Sequence, residues 1–243
     1  MENAEAQVQK FDEGASCTAC PAGEFNLCAG RTAKDQLAAL LRPSVQTIPA
    51  RRPICRAGEA LDAIPVICKW WAASAMTLPD GRRLILSILL PGDIVSSALL
   101  FESEIRFSVE AVTDVEYRMF DRADLQTLLV KRPHLFSDLS KIWIDEKNQA
   151  DQLALELGRC SADERIARLV LNLWKRLSAR ELVQNQAMEF PLRHHQIADA
   201  MGLTVVHVSK VLSEFKRAGV IQMDNRSMTI LDLPGLRRIA NVR

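Results

Sequence analysis

"FPLRHHQIADAMGLTVVHVSKVLSEFKRAGVI", residues 190–221, carries a helical period on each side of a single glycine turn. A short helix over about Arg193–Met201 turns Ile197 and Ala198 inward. Gly202 follows where the chain must bend tightly, a place suited to a residue without a side chain. Thr204 caps a second helix that runs to about Arg217. At 100° per residue, Val205, Val208, Val211, Leu212 and Phe215 group on one side of it. Val206, Ser209, Lys210, Ser213 and Arg217 group on the other. Helix, glycine turn, then a helix with a small, polar and basic outer face is the helix-turn-helix layout, whose outer face enters a major groove. His207 faces sideways, placed for helix packing or for a base. Downstream, "GVIQMDNRSMTILDL" reads as two short strands around Asp224–Asn225–Arg226–Ser227, the wing of a winged helix, with Arg226 at its tip able to reach phosphate. An αα-hairpin of an all-helical domain is the plainer reading, and the wing argues against it.

Charge agrees with this placement. Residues 161–243 hold 13 Lys/Arg against 8 Asp/Glu, a balance of +5, and residues 1–160 hold 18 against 22, a balance of −4. A basic third behind an acidic body suits a polyanion-binding module joined to something else.

Upstream, the texture of the chain changes twice. From about Val45 to Phe120, short apolar runs alternate with Pro and Gly, the pattern of an antiparallel roll or barrel. "LPDGRR" (78–83) reads as a hairpin turn in which Asp-Gly supplies positive φ angles. "DRADLQTLLVKRP" is a short helix ended by Pro133. A longer helix runs from about His134 to Leu157, with Phe136, Leu139, Trp143, Ala150, Leu153 and Leu157 near one stripe, interrupted by Glu146, Lys147 and Asn148. Such a stripe is either core or a helix–helix seam. Ser161 and Glu164 form a capping box that starts the next helix. Nearer the start, "TAKDQLAALL" (32–41) is a helix capped by Thr32.

These segments together resemble the CRP/FNR family of bacterial transcription regulators. The resemblance rests on "RAGE" (56–59), "LLPGDIV" (89–95), "ADERIARLVLNL" (162–173) and the helix-turn-helix stretch, and it covers nearly the whole chain. It implies an α+β fold: a Cys-bearing segment (1–31), a cyclic-nucleotide-binding-type β-roll (32–133), a long dimerisation helix with its hinge (134–160), and a C-terminal winged helix-turn-helix (161–243). It further implies a homodimer, paired along the long helix, that binds a two-fold-related DNA site and contacts RNA polymerase. Thr204, Val206, His207, Ser209, Lys210, Ser213, Arg217 and Arg226 are the expected DNA-facing residues. Val206, Ser209 and Lys210 stand where FNR has Glu, Ser and Arg. Valine cannot accept a hydrogen bond from cytosine but can touch a thymine methyl, and lysine meets guanine as a point charge rather than a planar fork.

Within the family, cyclic AMP binds through a Gly-Glu pair soon after "PGD" and an Arg-Ser pair further on. Here Ser96-Ser97 and Arg106-Phe107 replace them, so no residue is assigned to a cyclic nucleotide. Another small effector stays open. No Gly-rich phosphate loop, second cysteine set or Ser/His/Asp arrangement points to an enzyme or electron carrier. No apolar run is long enough to cross a bilayer and no signal-peptide order opens the chain, so a cytoplasmic protein is expected. Reduced thiols in that compartment argue against disulfides.

Cys17, Cys20 and Cys28 are spaced Cys-x2-Cys-x7-Cys, and such soft thiolates suit zinc or an iron–sulfur cluster. Three cysteines ahead of a CRP-like roll are similar to the FNR branch, in which a [4Fe–4S] cluster senses oxygen and promotes dimerisation; oxygen or nitric oxide is the implied signal. That branch takes a fourth cysteine from the last roll strand, where this chain has Arg118. In the family's roll the strand of Cys68 lies beside that position and Cys55 belongs to the other sheet, so Cys68 is the preferred fourth ligand. Glu24 or water could also complete the shell, and Cys68 could equally be a small buried strand residue. Zinc, or a thiol switch, is the alternative to the cluster. Cys160 sits at the hinge, as a redox-sensitive thiol or as packing.

Overall fold

A computed structural model describes residues 43–242; Cys17, Cys20, Cys28 and the Thr32-capped helix lie outside the described residues. The apolar runs between Val45 and Phe120 form seven strands: β1 (Ser44–Ile48), β2 (Pro53–Cys55), β3 (Ala63–Lys69), β4 (Ala72–Thr77), β5 (Arg83–Leu89), β6 (Ser108–Ala111) and β7 (Val115–Asp121). They make two antiparallel sheets, ordered β1-β7-β3 and β2-β6-β4-β5. Ile64, Val66, Ile67, Ile105 and Phe120 fill the space inside, each at most 1% exposed. In the β4–β5 hairpin the positive φ belongs to Gly81 and not to Asp80. Asp80 acts instead through its side chain, which accepts from the Arg82 amide at 3.0 Å.

Helix α1 (Arg122–Lys131) starts on Asp121, whose carboxylate accepts from the Asp124 amide at 2.9 Å. Helix α2 (His134–Arg159) follows Pro133 and runs 26 residues, about 39 Å at 1.5 Å per residue. Its apolar residues, within the expected stripe and beside it, divide between core and surface. Leu135 and Leu139 are buried against the roll, whereas Phe136, Ile144 and Leu155 are exposed. Phe136 meets Trp143 edge-on at 5.6 Å, and Phe101 lies tilted against it at 5.7 Å. One flank is core, and the flank beside it presents apolar surface outward.

Helix α3 (Ala162–Ser178) opens with the Ser161/Glu164 capping box that the sequence announces. Then come β8 (Val183–Gln184), β9 (Ala187–Glu189), α4 (His194–Met201), α5 (Val205–Arg217), β10 (Ile221–Asp224), β11 (Ser227–Ile230) and α6 (Leu233–Ile239). The wing is larger than expected, a sheet ordered β10-β11-β9-β8.

The core does not stop at Ser161. Trp71, Ala73, Ala75, Ile85 and Ile88 of the roll share one apolar cluster with Ile166, Val170, Phe190 and Ile197 of the C-terminal part. Trp71 meets Phe190 edge-on at 6.5 Å. Among the described residues, no helix is long and apolar enough to cross a membrane.

Candidate nucleic-acid interface

Thr204 accepts the His207 amide at 3.2 Å and so ends the turn and starts α5. Gly202, at φ +60°, makes that turn; an added Cβ would lie 3.1 Å from Leu157 Cδ2, so the bend is also a close approach to α2. Val208, Val211, Leu212 and Phe215 are buried and anchor the helix. Its other side is open: Val206, Ser209, Lys210, Ser213 and Arg217 are all exposed, and so are Thr204 and His207. Val205 departs from expectation. It is 47% exposed and lies on the leading end of the helix, where the whole stretch 204–207 is exposed, rather than in the core.

Polar groups on this face differ in availability. The Ser213 hydroxyl donates to the Ser209 carbonyl at 2.7 Å and is committed to the helix. Lys210 lies 3.9 Å from Glu214, a loose, exposed pair that leaves its ammonium largely available to solvent. His207 Nδ1 is 3.3 Å from Thr204 Oγ1, so the ring leans on the cap. Arg226 stands exposed at the wing tip with φ +76°, and its carbonyl accepts the Phe190 amide at 2.7 Å, tying the wing tip to the end of β9. The outer side of α5 and the wing tip with its cation are therefore both open to solvent.

Two devices missed in the sequence hold this head in place. Asp93, of the "PGD" turn, accepts from Arg180 Nη2 at 2.6 Å and from Arg176 Nη2, with all three side chains less than 20% exposed. The same arginines donate to the Ile88 and Pro91 carbonyls, each at 2.9 Å. The second device is Arg165. Its guanidinium donates to the carbonyls of Leu157, Cys160 and Met201 at 2.9, 2.9 and 3.0 Å. It thus ties the end of α2 and the hinge to the end of α4, satisfying carbonyls that helix ends leave orphaned. Spacing could have hinted at α3 as a basic helix, but partners across 36 to 89 residues are invisible to periodicity.

In the roll, the segment after "PGDIV" is stitched from within. Ser97 donates through its amide (3.3 Å) and its hydroxyl to the Glu146 carboxylate of α2. Arg122 and Gln126 of α1 take the Leu99 and Leu100 carbonyls at 2.8 and 2.6 Å. Arg106 turns outward to Glu102 at 2.9 Å, with its side chain 74% exposed.

Among the described residues no three His, Cys, Asp or Glu side chains gather as a metal site. Cys55 and Cys68 are buried and Cys160 is half-buried. Cys68 lies on β3, and β3 pairs with β7 so that Val66 opposes Arg118; Cys55 lies on the other sheet. Burial pushes the Cys55 thiol up to about 12, with the Glu59 charge adding to it. The Cys68 thiol donates to the Val66 carbonyl at 3.6 Å and lines a cavity of about 220 Å³ between roll and head, with Trp70, Trp71, Pro91, Leu177 and Glu189. A soft donor on a cavity wall suits a fourth thiolate ligand; it does not make a site by itself.

Comparison with known proteins matches both halves. The "Crp-like helix-turn-helix domain" covers residues 164–239 and the "Cyclic nucleotide-binding domain" covers 45–132. The chain is 30% identical over 238 residues to a probable transcriptional activator of Rhizobium leguminosarum, covering 96% of this chain and 98% of that one. It is 29% identical over 219 residues to the transcriptional activator protein FnrL of Cereibacter sphaeroides, covering 88% and 87%. It is also 31% identical over 187 residues to FnrA of Stutzerimonas stutzeri, covering 76% and 75%. The solved structure of FixK2 from Bradyrhizobium japonicum superposes with a TM-score of 0.73 at 24% identity, over 81% of this chain and 96% of that one. A roll, a long helix and an open winged helix-turn-helix, matched along nearly their full length by such relatives, leave one conclusion: the chain belongs to the CRP/FNR family of DNA-binding transcription regulators.

Proposed function

We propose that this chain acts as a homodimer, paired along α2, that grips a two-fold-related duplex with α5 and the wing and contacts RNA polymerase. In this reading an iron–sulfur cluster, [4Fe–4S], gates that activity; Cys17, Cys20 and Cys28 hold it, with Cys68 as fourth ligand, and oxygen or nitric oxide is the signal. The observation that carries the DNA-binding half is the exposed outer face of α5, and the exposed Arg226 at the wing tip adds a cation. The outward apolar flank of α2, with Phe136 and Ile144, supports pairing. The cysteine spacing and the names of the Fnr relatives support the cluster. A bound cluster would supply oxygen-labile redox chemistry; the residues of the chain supply its thiolates and the dimer seam.

Anaerobic purification tests this directly. Brown protein with about four irons and four sulfides per chain, bleached by air, is expected. Single Ser replacements at Cys17, Cys20 and Cys28 should each abolish iron, and at Cys68 more than at Cys55. Colourless protein containing zinc would remove the cluster and leave the zinc site. Sedimentation of the loaded and bleached forms then reads whether the cluster sets the dimer.

A further inference from the structure

The first turn of α5 carries two exposed β-branched apolar side chains side by side, Val206 at 78% exposure and Val205 at 47%. Val206 in particular gains little from folding: it buries only a small part of its surface in its own chain, and β-branching slightly disfavours a helix. They sit just after the Thr204 cap, at the end of the helix that enters the groove most deeply in the helix-turn-helix geometry. Next along the same face come Ser209 and Lys210, the polar and cationic contacts.

Base edges in the major groove offer hydrogen-bonding groups at every pair and a single apolar group, the C5-methyl of thymine. Valine has neither donor nor acceptor. Against the amino group of cytosine or adenine it would strip water and return nothing, a loss that disfavours those bases. Against the methyl it buries apolar surface on both sides.

We infer that Val206, flanked by Val205, is a specificity-determining residue that selects one thymine in each half-site through its methyl group. This rests on the reading of α5 as the DNA-reading helix and adds the chemistry it recognises. Lys210 then supplies affinity to a phosphate or guanine beside that thymine.

The test uses the full chain, purified anaerobically, to select sites from duplexes with a randomised core. In the selected site each thymine is replaced in turn by deoxyuridine, which lacks only the methyl. One position per half-site should lose about fourfold in affinity, and both together about 16-fold, the worth of one and two buried methyl groups. Val206→Ala should bind the thymine and uracil duplexes equally at that position. Lys210→Ala should weaken both equally, keeping the methyl preference. A consensus in which no thymine-to-uracil change matters, or a Val206→Ala protein that keeps the preference, overturns this inference alone. Selection that yields no consensus overturns the DNA-reading assignment with it.

Discussion

Asp93 and Arg180 meet at 2.6 Å across the line between roll and reading head, 87 residues apart in the chain. The aspartate also accepts the Leu90 amide at 2.8 Å, so the turn that holds it is braced before the arginines arrive. Removing this one carboxylate leaves two guanidinium groups, each less than 20% exposed, facing each other. Asp93→Ala should cost about 3 kcal/mol of stability in urea unfolding, because the cost of a buried pair falls on the partner left behind. It should also speed proteolysis at Gly158–Ser161, since the head then loses its ion pairs to the roll and keeps only apolar contact and the arginine–carbonyl bonds.

Arg165 bonds three carbonyls at once, a task that its planar fork performs and a lysine ammonium does not. Arg165→Lys keeps the charge and should still lose about 1 to 2 kcal/mol. Hydrogen exchange is the sharper measurement: amides around the hinge and around Leu203 should exchange faster, while those of β3 and β7 stay unchanged.

Gly202 answers two demands, its positive φ and its distance from Leu157. Gly202→Ala should cost roughly 1 to 2 kcal/mol and weaken duplex binding, because relief comes by shifting α4 against α2. A wild-type melting temperature in that variant would show the turn to be slack.

Glu156 gives a pH dependence. Burial raises its carboxyl above the ordinary carboxylate value, against the opposing hydrogen bond from Gln152 and the charges of Arg168 and Arg165. The folded chain therefore holds this proton more tightly than the unfolded chain. As pH rises from the ordinary carboxylate value through the raised one, the unfolded state loses its proton first and stability falls. Glu156→Gln should remove that decline, so the variant gains relative to wild type from the acid side toward neutrality, read as unfolding midpoints across pH.

The three described cysteines should separate by reactivity. With its thiol near 12, Cys55 is thiolate in only about one molecule in ten thousand at pH 8. Brief iodoacetamide treatment of native protein, read by mass spectrometry, should mark Cys160 first and leave Cys55 untouched until denaturation.

Local signals were legible where their cause is local. Thr204, Gly202 and the Ser161/Glu164 box announce their turns within four residues, and β4–β5 announces itself through Gly81. The β8–β9 hairpin stayed hidden because its strands are two and three residues long and its turn uses Asn185 and Gln186, at φ +49° and +63°, without glycine. Val205 departs from its expected side because angular spacing treats a helix as evenly covered along its length, whereas the first turn of α5 is exposed all round. Asp93 looked like part of a family motif and nothing more; its partners arrive from another part of the chain, and no period in the sequence carries that information. The cysteine trio is legible as spacing alone.

The apolar seam between Trp71, Ile85, Phe190 and Ile197 has a bearing on how such a protein can be taken apart. A fragment beginning at Ser161 would carry a greasy back into water and should clump. Grafting it onto a foreign roll would demand matching shapes at Trp71 and a carboxylate at the place of Asp93. Reader and receiver have been fitted to each other, and neither travels as a ready-made cassette.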